Sequence, residues 1–309
     1  MSDIEIKVNG QKLKFFDNVT LSTSIDAIAS TFAFSSFYDL PEYEFSKIEV
    51  KRNRILIFSG VVIGKDVPNN VQLQPFTYRC YTKTGILEDC TLPQAAYPIQ
   101  TANKTLKEIV NSICSNFNIT VKIDPSAAGD VTGTYKIQNQ EPDQKAKDII
   151  NSLCSQKNLV LSHNNKGDLI ITKKVLGKQA RIPLTLGANR TYNYRGFYGK
   201  YLVLGQQSIL GDTERVAEET FNNIPSERNI TKIQRDGDSG NTSNQALAMK
   251  YDSYKGNQQS IQFNDYFANV GDLVVFDRVK MIVNSMNYNY RAGSETCTIN
   301  LLNTKIYER

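Results

Sequence analysis

Few residues in this chain are placed to do chemistry. There is one histidine, His163, just ahead of the polar run Asn164-Asn165-Lys166-Gly167. A Ser-His-Asp or Cys-His site needs an imidazole base and would have to use it. Its position before a polar turn reads instead as an exposed histidine at a loop end. Gly60 and Gly64-Lys65 are spaced one residue short of a phosphate loop, and Asp66 stands where Ser or Thr would hold magnesium. That stretch reads as an ordinary strand ending in a turn. Asp236 and Asp238 sit in Gly- and Asn-rich sequence, but the further oxygen ligands and closing Glu of a calcium loop are missing, so a solvated loop is expected. The cysteines, Cys80, Cys90, Cys114, Cys154 and Cys297, are odd in number and form no Cys-x-x-Cys pair. Free, mostly buried thiols follow, rather than a disulfide framework or a zinc site. A paired-carboxylate glycoside hydrolase needs only two acids, which any fold can bring together. Its sugar platforms are commonly Trp and Tyr; this chain has no Trp, and its 16 Tyr, which could substitute, are more simply explained by strands and interfaces, where a ring packs and its hydroxyl finds a partner. No catalytic, cofactor-binding or metal residue is assigned, and the chain reads as a structural assembly part and not an enzyme.

Composition bounds the rest. A length of 309 residues suffices for two or three domains, and 22% charged with 40% apolar residues is an ordinary globular balance. The net charge of +5 is mild, and Lys and Arg are scattered without the basic stripe of a dedicated nucleic-acid binder. No apolar run is long enough to span a bilayer, and the first residues alternate polar and apolar types without a signal-peptide pattern. The protein is therefore expected to stay where it is made or to leave as part of a larger particle, binding neither membrane nor nucleic acid stably.

The elements that must position these residues are mainly strands. Ile4, Ile6 and Val8 alternate ahead of Asn9-Gly10, a hairpin signal. Phe32 and Phe34 alternate with small residues, Ile55 to Val62 is nearly continuously apolar, Pro68-Asn69-Asn70 marks a turn, and Val71, Leu73, Phe76, Tyr78 and Cys80 extend the pattern. Residues 1–92 thus read as an antiparallel β-barrel or sandwich. From 93 to 178 the character changes. Thr105-Leu-Lys-Glu108 has the form of a capping box, and Leu106, Ile109, Val110, Ile113 and Phe117 follow at helical spacing. Ile109-Val-Asn-Ser-Ile-Cys-Ser recurs 40 residues later as Ile149-Ile-Asn-Ser-Leu-Cys-Ser, which places Cys114 and Cys154 equivalently on buried faces. Pro142 suits the first turn of the second helix. Residues 179–309 return to strands, around Tyr192 to Gln206, Leu273 to Phe276, and a long hairpin closing at Ala292-Gly293-Ser294. Between them a polar surface excursion is expected over about 211–255, with a short helix near Asn244 to Tyr254. The fold class is therefore mainly β, with two similar antiparallel β-barrel domains and a helical, α/β insert between them.

This order of barrel, insert and barrel resembles the baseplate hub proteins of phage tails, the family that includes the Mu-like tail protein and the late control protein D group. The match is carried by Ile55-Leu-Ile-Phe-Ser-Gly-Val-Val, by Phe76 to Cys90 with its Leu87-x-Asp89, by the Thr105 helix, by Gly167-Asp168-Leu169, by Tyr201-Leu-Val-Leu-Gly-Gln and by Thr298-Ile-Asn-Leu-Leu. It departs in having no Trp near Phe263 to Phe267 and no fused spike or lysozyme domain. The resemblance implies a homotrimer, two barrels per chain, whose pseudo-sixfold ring forms a tube segment. Such a ring would join a threefold spike to a sixfold tail tube or distal tube protein, would contact baseplate wedge proteins, and would leave a channel through which DNA passes. It implies a virion structural protein of the tail baseplate, assembled in the bacterial host cytoplasm, of a contractile tail, with no cofactor. Two alternatives stand beside it: a tail-tip protein that binds carbohydrate or degrades cell wall, and the hub of a contractile injection system.

Overall fold

The computed structural model describes the chain apart from residues 1–2, 26, 41–42, 71–72, 136–142, 158, 174–179, 182–188, 192–196, 208–212, 221–230, 236–245, 247–248, 251–257, 265–267, 277, 292 and 305–309. The chain opens with β1 (Ile4–Val8) and β2 (Gln11–Lys12), joined by Asn9 and Gly10 at φ 48° and 83°. Both left-handed positions belong to the two-residue turn that matches strand twist, which is why Asn-Gly is favoured there. β3 (Asn18–Ser24), β4 (Thr31–Ser36), β5 (Lys47–Arg52), β6 (Ile55–Asp66) and β7 (Phe76–Thr82) follow. β7 begins only at Phe76, and Leu73 lies outside it and is exposed, so the expected strand from Val71 is shorter than its apolar pattern suggested. Gly60 in β6 is required by close packing: an added Cβ would lie 1.9 Å from the Tyr81 carbonyl oxygen.

After β7 a turn of helix, α1 (Ile86–Asp89), leads into the insert. In α2 (Leu106–Ser115) the capping box is present as read: Thr105 Oγ1 accepts from Glu108 N at 3.3 Å and Glu108 Oε2 accepts from Thr105 N at 2.8 Å. β8 (Val121–Ile123), α3 (Ala146–Gln156), β9 (Val160–His163) and β10 (Leu169–Thr172) complete it. α3 starts at Ala146, where its buried stripe begins, so Pro142, outside the described residues, is not in its first turn. The duplicated motif buries Val110, Ile113 and Cys114 on α2, and Ile150, Leu153 and Cys154 on α3, in one apolar cluster over the mixed sheet β8-β10-β9.

The remaining strands are β11 (Ala180–Arg181), β12 (Asn189–Thr191), β13 (Lys200–Gln207), β14 (Thr213–Thr220), β15 (Thr231–Arg235), β16 (Gln258–Asn264), β17 (Leu273–Phe276), β18 (Val279–Arg291) and β19 (Ser294–Asn303). The expected excursion over 211–255 is not a bare loop. β14 and β15 flank β13 in a separate three-stranded sheet. Tyr201 and its neighbours in β13 therefore do not start the second set of large-sheet strands; β11 and β12 precede them. Of the helix expected near Asn244 to Tyr254, Ala246, Met249 and Lys250 are helical and the rest lies outside the described residues.

The two ends of the chain form one 13-stranded sheet, in the order β12-β16-β19-β18-β3-β4-β7-β6-β5-β1-β2, with β11 and β17 beside β18. The strands fall into two sets with the same connectivity. The first runs β1-β5-β6-β7-β4-β3 across the sheet and the second β11-β17-β18-β19-β16-β12. In each, the strands fourth to sixth in chain order form the centre and the third and second follow outward. All pairs are antiparallel except β11 with β17. The sets meet where β3 pairs with β18. One apolar core serves both, with Ile6, Phe32, Phe58 and Tyr78 from the first and Ile261, Val283, Tyr288 and Ile299 from the second. Phe32 stacks on Phe58 at 5.0 Å and Phe34 on Tyr78 at 5.1 Å, so burial and ring packing act together.

Candidate functional site

Among the described residues, polar side chains gather at the insert junction, at the contact between the chain's two ends and at the tail of β6. At the junction, His163 ends β9 and is half-buried against the loop that links β3 and β4, where its sequence position suggested an exposed loop end. Its Nδ1 lies 2.8 Å from the Ala27 carbonyl oxygen, which can only accept, so Nδ1 carries the proton and Nε2, 2.5 Å from Ser30 Oγ, accepts from the hydroxyl. Burial lowers the imidazole pKa below its ordinary value and keeps the ring neutral. The pair borders a cleft of about 200 Å³ that also exposes Asn164, Asn165 and Asn269. Ser30 is only 4% exposed, and a backbone carbonyl faces Nδ1 where an acyl-transfer triad carries a carboxylate. This geometry pins the insert to the sheet. Asn165 Nδ2, donating to the Leu56 carbonyl at 3.2 Å, pins it a second time.

Where the chain's ends meet, Arg52 of β5 reaches Glu295 of β19. Its Nη2 lies 3.1 Å from Glu295 Oε2, and the guanidinium stands 5.7 Å from the centre of the Tyr288 ring. Tyr288 donates its hydroxyl to the same carboxylate at 2.7 Å. Glu295 is 8% exposed, so the carboxylate is removed from water and held by two donors. Burial pushes the Tyr288 phenol up, and its bond to Glu295 adds to the rise.

At the tail of β6, Lys65 extends over the rings of Phe76 and Tyr43, at 4.7 and 4.8 Å, and bonds Asp39. Tyr78 donates to Asp39 at 2.9 Å and accepts from the Leu40 amide at 2.8 Å. The Lys65 bond is the largest cause holding the Asp39 carboxyl below its ordinary pKa. The glycine-lysine run thus lies in a strand, with its lysine folded onto aromatic faces. Large apolar side chains remain in solvent around this tail: Phe45, Ile63, Val67 and Leu73. Sequence reasoning missed this patch, because single apolar residues in and beside a strand read as core until the strand's pairing is known.

Among the described residues no three His, Cys, Asp or Glu side chains group to hold a metal, and no helix is long and apolar enough to cross a membrane. Cys80, Cys114, Cys154 and Cys297 are buried, and burial raises their thiol pKa values, to about 12 at Cys114 and about 11 at Cys297. Asp236 and Asp238 lie outside the described residues.

Residues 84–173, which span α1 to β10, match the family described as baseplate hub protein gp44-like, second domain. No curated protein matches the sequence significantly. Among solved structures, the chain resembles the 43 kDa tail protein of prophage MuSo2 from Shewanella oneidensis, with a TM-score of 0.80 and 16% identity over 99% of both chains. It resembles the tail protein from Neisseria meningitidis MC58, with a TM-score of 0.77 and 12% identity over 99% of this chain and 98% of that one. It also resembles the E. coli c3393 protein, described as a component of the type VI secretion system with similarity to T4 bacteriophage tail proteins gp27 and gp5, with a TM-score of 0.58 and 9% identity over 96% of this chain and 76% of that one. Residues 84–173 thus match the second domain of gp44-like baseplate hub proteins, within a chain whose overall fold is similar to those of the two tail proteins.

Proposed function

We propose that this chain is the hub subunit of a phage tail baseplate, and that three copies close into a ring with pseudo-sixfold symmetry. The observation that carries this reading is the repeated strand connectivity within one chain. Two alike β units per subunit, residues 1–92 and 179–309, double the apparent order of a threefold ring. Such a ring presents threefold symmetry to a trimeric spike and near-sixfold symmetry to a hexameric tube or distal tube protein. The insert, 93–178, and the β13–β15 sheet project from it toward wedge proteins. DNA passes through the lumen without stable binding, because a dense basic lining would retain phosphates and stall passage. The protein works in the virion, in a contractile tail, after assembly in the host cytoplasm, and its role is structural and not catalytic.

Light scattering on the purified protein, with negative-stain images of the same peak, tests this. A mass of three chains with a ring-shaped particle is expected; a monomer at every concentration, with or without spike protein, refutes it. The likeness to the c3393 protein favours a second reading, a hub in a secretion or injection system. Neighbouring genes for capsid or for effectors separate the two.

A further inference from the structure

The two strand sets agree in detail as well as in connectivity. In β6 an extra residue, Ile63, stands between Val62 and Gly64 opposite β7; in β18 the extra residue is Asn284, between Val283 and Ser285 opposite β19. The same two bonds precede each bulge. Phe45 N donates to Val62 O at 3.1 Å and Val62 N to Ser46 O at 3.0 Å; Gly271 N donates to Val283 O at 2.8 Å and Val283 N to Asp272 O at 2.9 Å. Val62 therefore corresponds to Val283, and Gly64 to Ser285. A bulge re-aims the strand beyond it and ends pairing on one side, so the segment past it needs a different neighbour.

β18 has that neighbour. Beyond Asn284 its edge is taken by β3, from Ser285 opposite Ser24 to Arg291 opposite Asn18, and Ile25 N donates to Asn284 O at 2.8 Å. Ile25 is fully buried there with Ile282 and Leu302. β6 lacks it. Beyond Ile63, residues Gly64 to Asp66 pair with β7 alone, and no strand lies on the other edge among the described residues. β12, the counterpart of β3, pairs with β16 as β3 pairs with β4, and its other edge is likewise without a strand among the described residues. The unmatched edge of β6 is also where Phe45, 76% exposed, Val67, 64%, Leu73, 75%, and Ile63, 47%, stand in solvent. Unpaired edges beside exposed apolar side chains are sites for strand addition.

We infer that copies of this chain join head to tail through a second version of the β3–β18 seam, with β12 of one copy adding antiparallel to β6 of the next beyond its bulge. The partner is a second copy because the chain itself already contains the matched pair of edges, joined once and left open once. Contacts of this heterologous kind generate rings when the rotation closes. The seam rests on the ring proposed above and adds its register. Ser22 faces Asn287 within the chain, and the corresponding positions are Thr191 and Asp66, so those two residues oppose each other between copies.

Cysteine pairs test this, since directly opposed strand residues fall within the roughly 4.4–6.8 Å Cα separation that a disulfide spans. The double variant Thr191→Cys/Asp66→Cys, oxidised mildly, is expected to give species of two and three chains on non-reducing gels. These should vanish on reduction and be missing from either single variant. In parallel, Ile63→Lys/Val67→Lys, at exposed positions, is expected to lose the ring while keeping the parent's circular dichroism and unfolding midpoint. A ring by light scattering without the disulfide ladder, and indifferent to the two lysines, overturns the seam and leaves the ring standing. Monomers throughout, with no ladder, overturn both.

Discussion

Removing Glu295 tests how the two ends of the chain are held together. Glu295 sits on β19 and takes two donors: Arg52 from β5 at 3.1 Å and Tyr288 from β18 at 2.7 Å. Its side chain is 8% exposed and that of Arg52 15%, so truncation to alanine leaves a guanidinium largely withdrawn from water without its carboxylate. Loss of one member of a buried ion pair costs roughly 3–5 kcal/mol, most of it the uncompensated charge. The Tyr288 hydroxyl loses an acceptor at the same time but keeps its contact with Arg52, which places Glu295→Ala toward the lower part of that range. Replacing both charges by apolar groups of similar size, as in Arg52→Met/Glu295→Leu, removes the uncompensated charge and should return stability to within about 1 kcal/mol of the parent. Urea unfolding followed by tyrosine fluorescence and near-ultraviolet circular dichroism reads both variants. A loss below about 1 kcal/mol for Glu295→Ala would place this contact in solvent and refute the single core shared by both strand sets.

Three further outcomes follow from the same geometry. His163 is held neutral by burial, its pKa lowered from the ordinary 6.5. The unfolded chain therefore binds the extra proton first, and this contribution is complete above about pH 6.5 and lost as pH falls below it. Unfolding midpoints should drop between pH 8 and pH 5.5, and His163→Asn should flatten that difference. Gly60→Ala drives a Cβ against the Tyr81 carbonyl and should cost roughly 3 kcal/mol or more in urea unfolding, because backbone on both sides must shift. Of the five thiols only Cys90 is not buried, so Ellman's reagent should titrate one thiol per native chain and five after denaturation.

Local features were legible in the sequence because their causes are local. Asn9-Gly10, the Thr105 capping box, the duplicated helix and the hairpin at Gly293 each depend on a few adjacent residues, and the structure has them where the pattern put them. What depends on pairing across the chain was not legible. Met281 and Met286 are both buried although one is odd and the other even in the alternation, because the bulge at Asn284 reverses the phase of β18. His163 is half-buried because Ala27 and Ser30, far away in sequence, bond both of its ring nitrogens. β14 and β15 are polar in sequence and form strands because β13 offers both its edges. Ile63 stands in solvent because it is the extra residue of the bulge opposite β7 and faces away from the side on which Phe58, Gly60 and Val62 are buried, which depends on the pairing of β6.

The edges of the large sheet also differ in a way that bears on assembly. At one end stands β2, two residues long, with Lys12 paired to Glu5 at 3.2 Å and Lys7 close to the same carboxylate. A short, charged strand is how soluble proteins discourage another chain from adding to a sheet. The tail of β6 is guarded less: its exposed Asp66 is paired with Arg79 of β7. Its one lysine, Lys65, is folded away onto aromatic rings and Asp39, and the flanking apolar side chains are left forward. Among the described residues β2 has no counterpart in the second strand set, whereas β6 and β12 each correspond to a strand already joined inside the chain. The edge at β2 is thus one that the repeat does not use, and the edges of β6 and β12 are the two that the repeat leaves to be joined.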